Sequence, residues 1–142
     1  MKNSNNKAFI AISFAQGFMS PNIPIATFSQ GDVELNFIID TGSDQNVIDS
    51  SILDKIEHHK TENKTTLTGV GGSVVAESCN ITFGYNGDSY TTEFLISDLK
   101  AAFDTIKKAH AIPLHGMLGS KFLKENNLVL DFTNMVAYNK EG

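Results

Sequence analysis

Residues 33–40, VELNFIID, place an apolar side chain at every second position and end in Asp40. A period of two is typical of a β-strand that buries one face. A carboxylate that directly follows such a strand is costly unless it is paired, hydrogen-bonded or used in chemistry. The stretch therefore predicts a strand that delivers Asp40 to a turn, and it makes Asp40 a candidate functional group.

Turn signals divide the rest of the chain into further short strands. Asn86-Gly87 is the strongest of them, because both residues suit the left-handed dihedrals of a type I′ hairpin turn. Residues 60–64, KTENK, are predicted to form a solvated loop. The predicted strands are 23–28, 33–39, 46–49, two strands around the glycine-rich tip within 65–85, 89–96, a short apolar strand before Gly119, and a closing hairpin of 128–132 with 135–138 around Thr133-Asn134.

Three short helices are predicted between these strands. The first follows residues 49–50, one of which would cap it. The second has an apolar stripe within 99–106 and Asp98 as its cap. The third follows Gly119 and ends at 126–127.

The N-terminal segment also reads as a strand. Ile10, Ile12 and Phe14 alternate with small residues, and the apolar run of about eight residues is at the short limit for a signal peptide. We therefore expect residues 1–20 to be an N-terminal strand or arm. Without repeats, low-complexity tracts or a linker, residues 1–142 are predicted to be one mostly β domain.

Composition limits the classes of partner. Eleven Lys and Arg residues against sixteen Asp and Glu give a net charge of −5, and no basic stripe points to a nucleic acid. No apolar run reaches the length of a membrane span. Cys79 is the single cysteine and cannot form an internal disulfide, which favours a cytoplasmic location and leaves secretion or a periplasmic location open.

Three motifs occur together in a meaningful order: an apolar strand into DTGS at 40–43, a glycine-rich hairpin tip GVGG at 69–72, and MLGSKFL at 117–123. This order resembles the retropepsin-like aspartic proteases, the single-lobe type of retroviruses and their cellular relatives, from about Ile23 to Tyr138. The resemblance implies a closed, barrel-like sheet with a flap hairpin and two or three short helices. It also implies an aspartic endopeptidase that needs neither a metal nor another cofactor.

The resemblance assigns the catalytic loop to Asp40, Thr41 and Gly42. Gly42 would permit the tight turn that presents the carboxylate. Thr41 would send its hydroxyl across a dimer axis to the opposite loop. The Ser43 hydroxyl could donate to the Asp40 carboxylate and favour its charged form, which predicts activity at more acidic pH than in a Ser43→Ala variant.

The acidic partner of the loop departs from the viral pattern. Asp44 matches an acid that viral enzymes pair with an arginine, but Ser120 stands in the arginine's place. The salt bridge is then either missing or made imperfectly by Lys121, because an ammonium group lacks the bidentate fork of arginine.

The remaining substrate-binding candidates come from the hairpin tip and the segment before Gly119. His115 could line a subsite or could simply be a packed histidine, and both readings are open. By resemblance, the flap would contribute Gly69, Val70, Gly71 and Gly72, with Ser43 and Asp44 beside the loop and Met117 and Leu118 as the floor under Asp40.

One aspartate is half of the expected catalytic pair. Only one Asp-Thr-Gly occurs, and Asp131 lacks the following Thr-Gly. A homodimer that brings two copies of Asp40 together would complete the pair and bind a peptide or protein substrate. The rival hypotheses are an inactive peptide-binding or assembly module of the same fold, and an Asp40 that accepts a phosphoryl group with Mg²⁺.

Overall fold

A computed structural model describes residues 11–69 and 72–139 of the chain. The strands in these ranges are β1 Ile12–Ser13, β2 Ile25–Gln30, β3 Val33–Ile39, β4 Asn46–Asp49, β5 His59–Gly69, β6 Gly72–Tyr85, β7 Asp88–Ser97, β8 Gly116–Leu118, β9 Leu128–Asp131 and β10 Val136–Asn139. The helices are α1 Gln16–Met19, a 3₁₀ helix Ser50–Lys55, α2 Lys100–His110 and α3 Ser120–Glu125.

Six of the strands close into a barrel. Their order is β2-β3-β8-β4-β7-β6, and a bridge between Ser29 of β2 and Gly84 of β6 completes the circle. Strand β5 pairs with β6 outside this circle and, among the strands of residues 11–69 and 72–139, lies at the edge of the sheet, so β5 and β6 form a long hairpin. Strand β8 runs parallel to β3 and antiparallel to β4, and it is the element that brings the 116–120 segment beside Asp40.

Aromatic side chains fill the barrel. The rings of Phe28 and Phe83 meet edge to face with centroids 4.9 Å apart, and Phe37, Phe94 and Phe122 surround them. All five side chains are almost completely buried. The alternation read from residues 33–39 is therefore the inward-facing row of a barrel strand, and each buried phenylalanine contributes about 1.5–3 kcal/mol of transfer free energy.

A second sheet joins the two ends of the described chain. Strand β10 lies between β1 and β9, with Ile12 opposite Ala137. Phe14 is fully buried and its N–H donates to the Met135 carbonyl. The predicted strand is confirmed at Ile12; Phe14 directly follows β1, and Ile10 lies outside the described residues. The α1 turn that follows was not predicted.

The turns and helices agree with the sequence in most places. Asn86 and Gly87 have φ of 49° and 90°, as a type I′ turn requires, and α2, α3 and the closing hairpin lie where expected. The helix after Asp49 is a 3₁₀ helix. The prediction of a solvated loop at residues 60–64 is wrong, because this segment belongs to β5 and contains a bulge.

No helix within 11–69 or 72–139 is long and apolar enough to cross a membrane.

Candidate active site

Asp40 follows the last residue of β3 and is held by its neighbour in the sheet. Ile39 lies opposite Leu118 in the parallel β3–β8 pair, and the Asp40 N–H donates to the Leu118 carbonyl at 2.9 Å. The side chain is only partly buried. The sheet therefore fixes the backbone of Asp40 while its carboxylate stays accessible.

The turn after Asp40 orients the carboxylate. The Gly42 N–H donates to Asp40 Oδ1 at 3.0 Å, and the Ser43 N–H donates to the Asp40 carbonyl at 3.2 Å. A Cβ at position 42 would lie 3.2 Å from the same Oδ1, closer than nearly all real contacts of that kind. Thr41 is exposed, and its hydroxyl makes no hydrogen bond within the described part of the chain.

The loop is also fixed from the side of α3. The Ser120 N–H donates to the Ser43 carbonyl at 2.8 Å. Gly119 passes so close that a Cβ there would lie 2.3 Å from the Gln45 carbonyl oxygen and 2.6 Å from that of Ser43. Only a glycine at 119 lets the two segments approach this far without displacement.

Asn46 stabilises the close approach of Gly119 to the loop, and it was not predicted from the sequence. Its side chain is fully buried, and its Oδ1 accepts a hydrogen bond from the Gly119 N–H at 2.9 Å. Its Nδ2 donates to Thr92 Oγ1 and to the Glu93 carbonyl, each at 3.0 Å. A buried amide is stable only when hydrogen-bonded, and here both of its ends are used. The available signal was a polar residue at the start of the apolar strand NVID.

The predicted hydrogen bond from Ser43 to the Asp40 carboxylate is wrong. The Ser43 hydroxyl donates to the Gln45 carbonyl at 2.7 Å, and a hydroxyl has one proton to give. The pH shift expected from that bond therefore loses its basis, and Ser43 acts in the folding of its own loop.

The substitute salt bridge is not formed. Lys121 Nζ pairs with Glu125 at 3.4 Å, one helical turn further along α3. Asp44 is exposed and has no ion pair among residues 11–69 and 72–139. Of the two alternatives from the sequence, the missing bridge is the one observed, and the Asn46 amide holds the loop instead.

Met117 and Leu118 do not share a face. Leu118 is almost fully buried in the main core, whereas Met117 is partly exposed and packs beside Val47, Ala76 and Leu95. Adjacent strand residues point to opposite sides of a sheet, so the two side chains cannot both line the predicted floor under Asp40. Leu118 contributes its carbonyl to Asp40, and Met117 is the residue whose side chain is available.

His115 does not join the residues at Asp40. Its backbone N–H donates to the carbonyl of Asn36, which precedes Asp40 by four strand residues, or roughly 13 Å. The imidazole instead lines a cavity of about 350 Å³ between the 3₁₀ helix and α2, together with Asp49 and Phe103. We therefore leave His115 out of the site.

Burial lowers the pKa of His115 below its ordinary 6.5, despite the opposing charge of Asp49. The Asn36 N–H also donates to Nδ1 at 2.9 Å, which favours the neutral ring. Below pH 6.5 His115 is protonated more fully in the unfolded chain than in the folded chain. The free energy of unfolding should therefore decrease as the pH falls.

In the His115→Asn variant, which keeps an acceptor but cannot titrate, we expect a smaller loss of stability between pH 8 and pH 5 than in the wild type. Urea unfolding at both pH values measures it. Parallel losses in the two proteins would contradict the assignment.

The glycine-rich tip closes the β5–β6 hairpin. Gly69 lies opposite Gly72, whose φ of 115° suits glycine, while Val70 and Gly71 lie outside the described residues. Val74 and Val75 of β6 are 64% and 66% exposed, unusual for valines in a strand. No group of three or more metal-binding side chains occurs among the residues described.

No family model matches this chain, and no curated protein matches it. Among solved structures, the chain is similar to the protease of equine infectious anemia virus, EIAV, in complex with an inhibitor. The TM-score is 0.50 at 24% identity, and the match covers 75% of this chain and 89% of the viral one. At this identity the likeness shows the fold: a mostly β, retropepsin-like single lobe with a closed six-strand barrel.

Proposed function

We propose that the protein is an aspartic endopeptidase that acts as a homodimer, with one Asp40 from each copy. The observation that carries the proposal is the Asp40 turn. A strand-end carboxylate, oriented by the Gly42 N–H and accessible on one side, lies on a retropepsin-like fold. Such a carboxylate is available to accept or donate a proton.

A second copy is needed because the sequence contains one Asp-Thr-Gly and the mechanism uses two such carboxylates. Asp131, which also ends a strand but lacks the following Thr-Gly, is engaged in its own turn. Its Oδ1 accepts from the N–H groups of Thr133 and Asn134, and its Oδ2 accepts from Asn134 Nδ2. The Asn134 side chain is the main cause that lowers the pKa of Asp131. Asp131 is thus a turn residue, and a two-fold axis beside Asp40 supplies the missing acid.

The chemistry follows from two carboxylates that share one proton. Like charges roughly 3 Å apart do not both ionise readily, so one Asp40 is protonated and the other is ionised. The ionised group takes a proton from the attacking water while the protonated group polarises the scissile carbonyl. The water oxygen bonds to the carbonyl carbon to give a tetrahedral intermediate, whose C–N bond then breaks as the leaving nitrogen takes the proton that Asp40 had accepted from the water.

The substrate would be an extended peptide between the β5–β6 hairpin and the floor beside Asp40. Backbone hydrogen bonds in the manner of strand addition would hold it. Apolar side chains near the cut would meet Met117 and Val74, which lies on the same face of β6 as Ala76 beside Met117. The viral protease of the same fold is described with a bound inhibitor, which supports a cleft of this kind in the fold.

Three measurements test the proposal on the full chain. We expect cleavage of a denatured protein at acid pH that pepstatin inhibits, and sedimentation of the active species at twice the chain mass. Specific activity should fall on dilution as the dimer dissociates. A dimer without cleavage from mildly acid to neutral pH would favour the peptide-binding module, and magnesium-dependent phosphatase activity would favour the phosphoryl-transfer hypothesis.

A further inference from the structure

We propose that Glu93 is a positioning residue that fixes the base of the β5–β6 hairpin to the strand that also anchors the Asp40 loop. The inference rests on the proposed function for its catalytic consequence, but the contacts that carry it belong to the fold. Glu93 lies on β7, the neighbour of β6 on the side away from β5.

The first contact is at a bulge in β5. The pairing of β5 with β6 shifts between Lys60 and Lys64, so the residues between them are released from the regular ladder. Two of these reach across β6: Thr61 Oγ1 and Asn63 Nδ2 donate to Glu93 Oε2 at 2.9 Å and 2.8 Å. An edge strand whose regular partner is β6 is thereby tied to β7 as well.

The second contact leads from the same residue to the catalytic loop. The Glu93 carbonyl accepts a hydrogen bond from Asn46 Nδ2, and Asn46 Oδ1 accepts one from the Gly119 N–H beneath the loop. The neighbouring Leu118 carbonyl accepts from the Asp40 N–H. Hairpin base and catalytic loop therefore take their positions from one residue of the barrel wall.

A second tether on the hairpin provides the contrast. Lys60 Nζ pairs with Glu77 at 3.0 Å, but both side chains are more than half exposed and the pair joins β5 only to β6. Exposed pairs of this kind contribute little to stability. Glu93 instead accepts two hydrogen bonds at one carboxylate oxygen, and bonds to a charged acceptor are the stronger kind.

The charge of this contact sets its pH range. The hydrogen bond from Asn63 is the main cause that lowers the pKa of Glu93 below its ordinary 4.5, with a smaller contribution from Lys121 on α3. The nearby Cys79 stays neutral because burial raises the pKa of its thiol to about 11. A lowered acid pKa stabilises the folded hairpin above 4.5, and this stabilisation is lost as the pH falls through the folded value. The tether is thus intact in the mildly acid range.

Amide hydrogen exchange on the full chain tests the proposal without any need for catalysis. In Glu93→Ala we expect exchange at residues 64–66 to accelerate about tenfold or more, with the β2–β3 amides unchanged. Glu77→Ala is the matched control and should change the same amides less than about twofold. Glu93→Gln keeps an oxygen that can accept both hydrogen bonds, so it should restore most of the protection of these amides. Because glutamine does not titrate, this protection should no longer decrease below pH 4.5.

Kinetics supplies a readout that general destabilisation would not give. If the hairpin holds substrate, Glu93→Ala should raise KM several-fold more than it lowers kcat, and Glu93→Gln should recover most of the change. Equal exchange effects of Glu93→Ala and Glu77→Ala, or no rescue by glutamine, would overturn the positioning role. An inactive wild type with the expected exchange pattern would refute the proposed function and leave the tether standing.

Discussion

Asp40→Asn should reduce kcat/KM for peptide cleavage by about 10³-fold or more, because an amide cannot take a proton from water or share one with its mate. Folding should be little affected. Asp40 is partly exposed, and the oxygen of an asparagine can still accept the Gly42 N–H that now reaches Oδ1. Cleavage assays and urea unfolding of both proteins measure the two parts of the prediction.

Mixing the variant with the wild type tests the shared pair directly. If both copies of Asp40 are needed, only dimers of two wild-type chains are active, so an equal mixture should retain about one quarter of the activity of undiluted wild type. A site contained in one chain would retain about one half. The second result would contradict the homodimeric mechanism even if Asp40→Asn alone were inactive.

Asp131→Asn is the control for this experiment. Its carboxylate caps an exposed turn far along the chain from the loop, and the variant should cleave at close to the wild-type rate. A loss equal to that of Asp40→Asn would indicate that Asp131 belongs to the catalytic pair, which would contradict its role as a turn residue.

Gly119→Ala is expected to cost about 3 kcal/mol or more in the free energy of unfolding, and to remove activity in whatever fraction folds. The added methyl group would meet the carbonyl oxygens of Gln45 and Ser43 at 2.3 Å and 2.6 Å, and backbone atoms cannot move aside as a side-chain tip can. Relief of the clash separates the loop from α3. It then breaks the hydrogen bond to Asn46 and leaves a buried amide without its partner.

Gly31→Ala is the matched control for that substitution. Gly31 has a φ of 57°, and no atom lies within 4 Å of the place that a Cβ would take, so only backbone strain is added. We expect about 1 kcal/mol there and full activity. Urea unfolding of both variants measures the difference, and equal costs would show that the close approach at Gly119 is not what requires glycine.

The features predicted correctly from the sequence follow from patterns within short segments. The alternation into Asp40, the Asn86-Gly87 turn and the stripe of α2 each depend on residues within one strand, turn or helix, and all three are confirmed. The order of the three motifs also led to the retropepsin-like fold. Patterns over a few residues are enough for such features because the side-chain period and the turn dihedrals are set locally.

The features that the sequence did not predict depend on contacts between distant parts of the chain or on which hydrogen bond forms within a folded turn. From the sequence, the Ser43 hydroxyl could donate to the Asp40 carboxylate or within its own loop. In the folded turn it donates to the Gln45 carbonyl. Residues 60–64 looked like a loop because they are polar, but the bulge directs Thr61 and Asn63 to Glu93, some thirty residues away. His115 lies two residues before Met117 in the sequence, but its imidazole lines the cavity between the 3₁₀ helix and α2, whose lining does not include Asp40.

By itself the sequence determined that a β-strand would present Asp40 at a glycine turn, since apolar alternation and a missing Cβ act on neighbouring residues. Only the tertiary structure decided what holds that turn. The Asn46 amide meets Gly119 across 73 residues of chain, and Glu93 joins the hairpin to the same point. A buried polar group finds its partner through the packing of the barrel, and that packing is not written in any one segment.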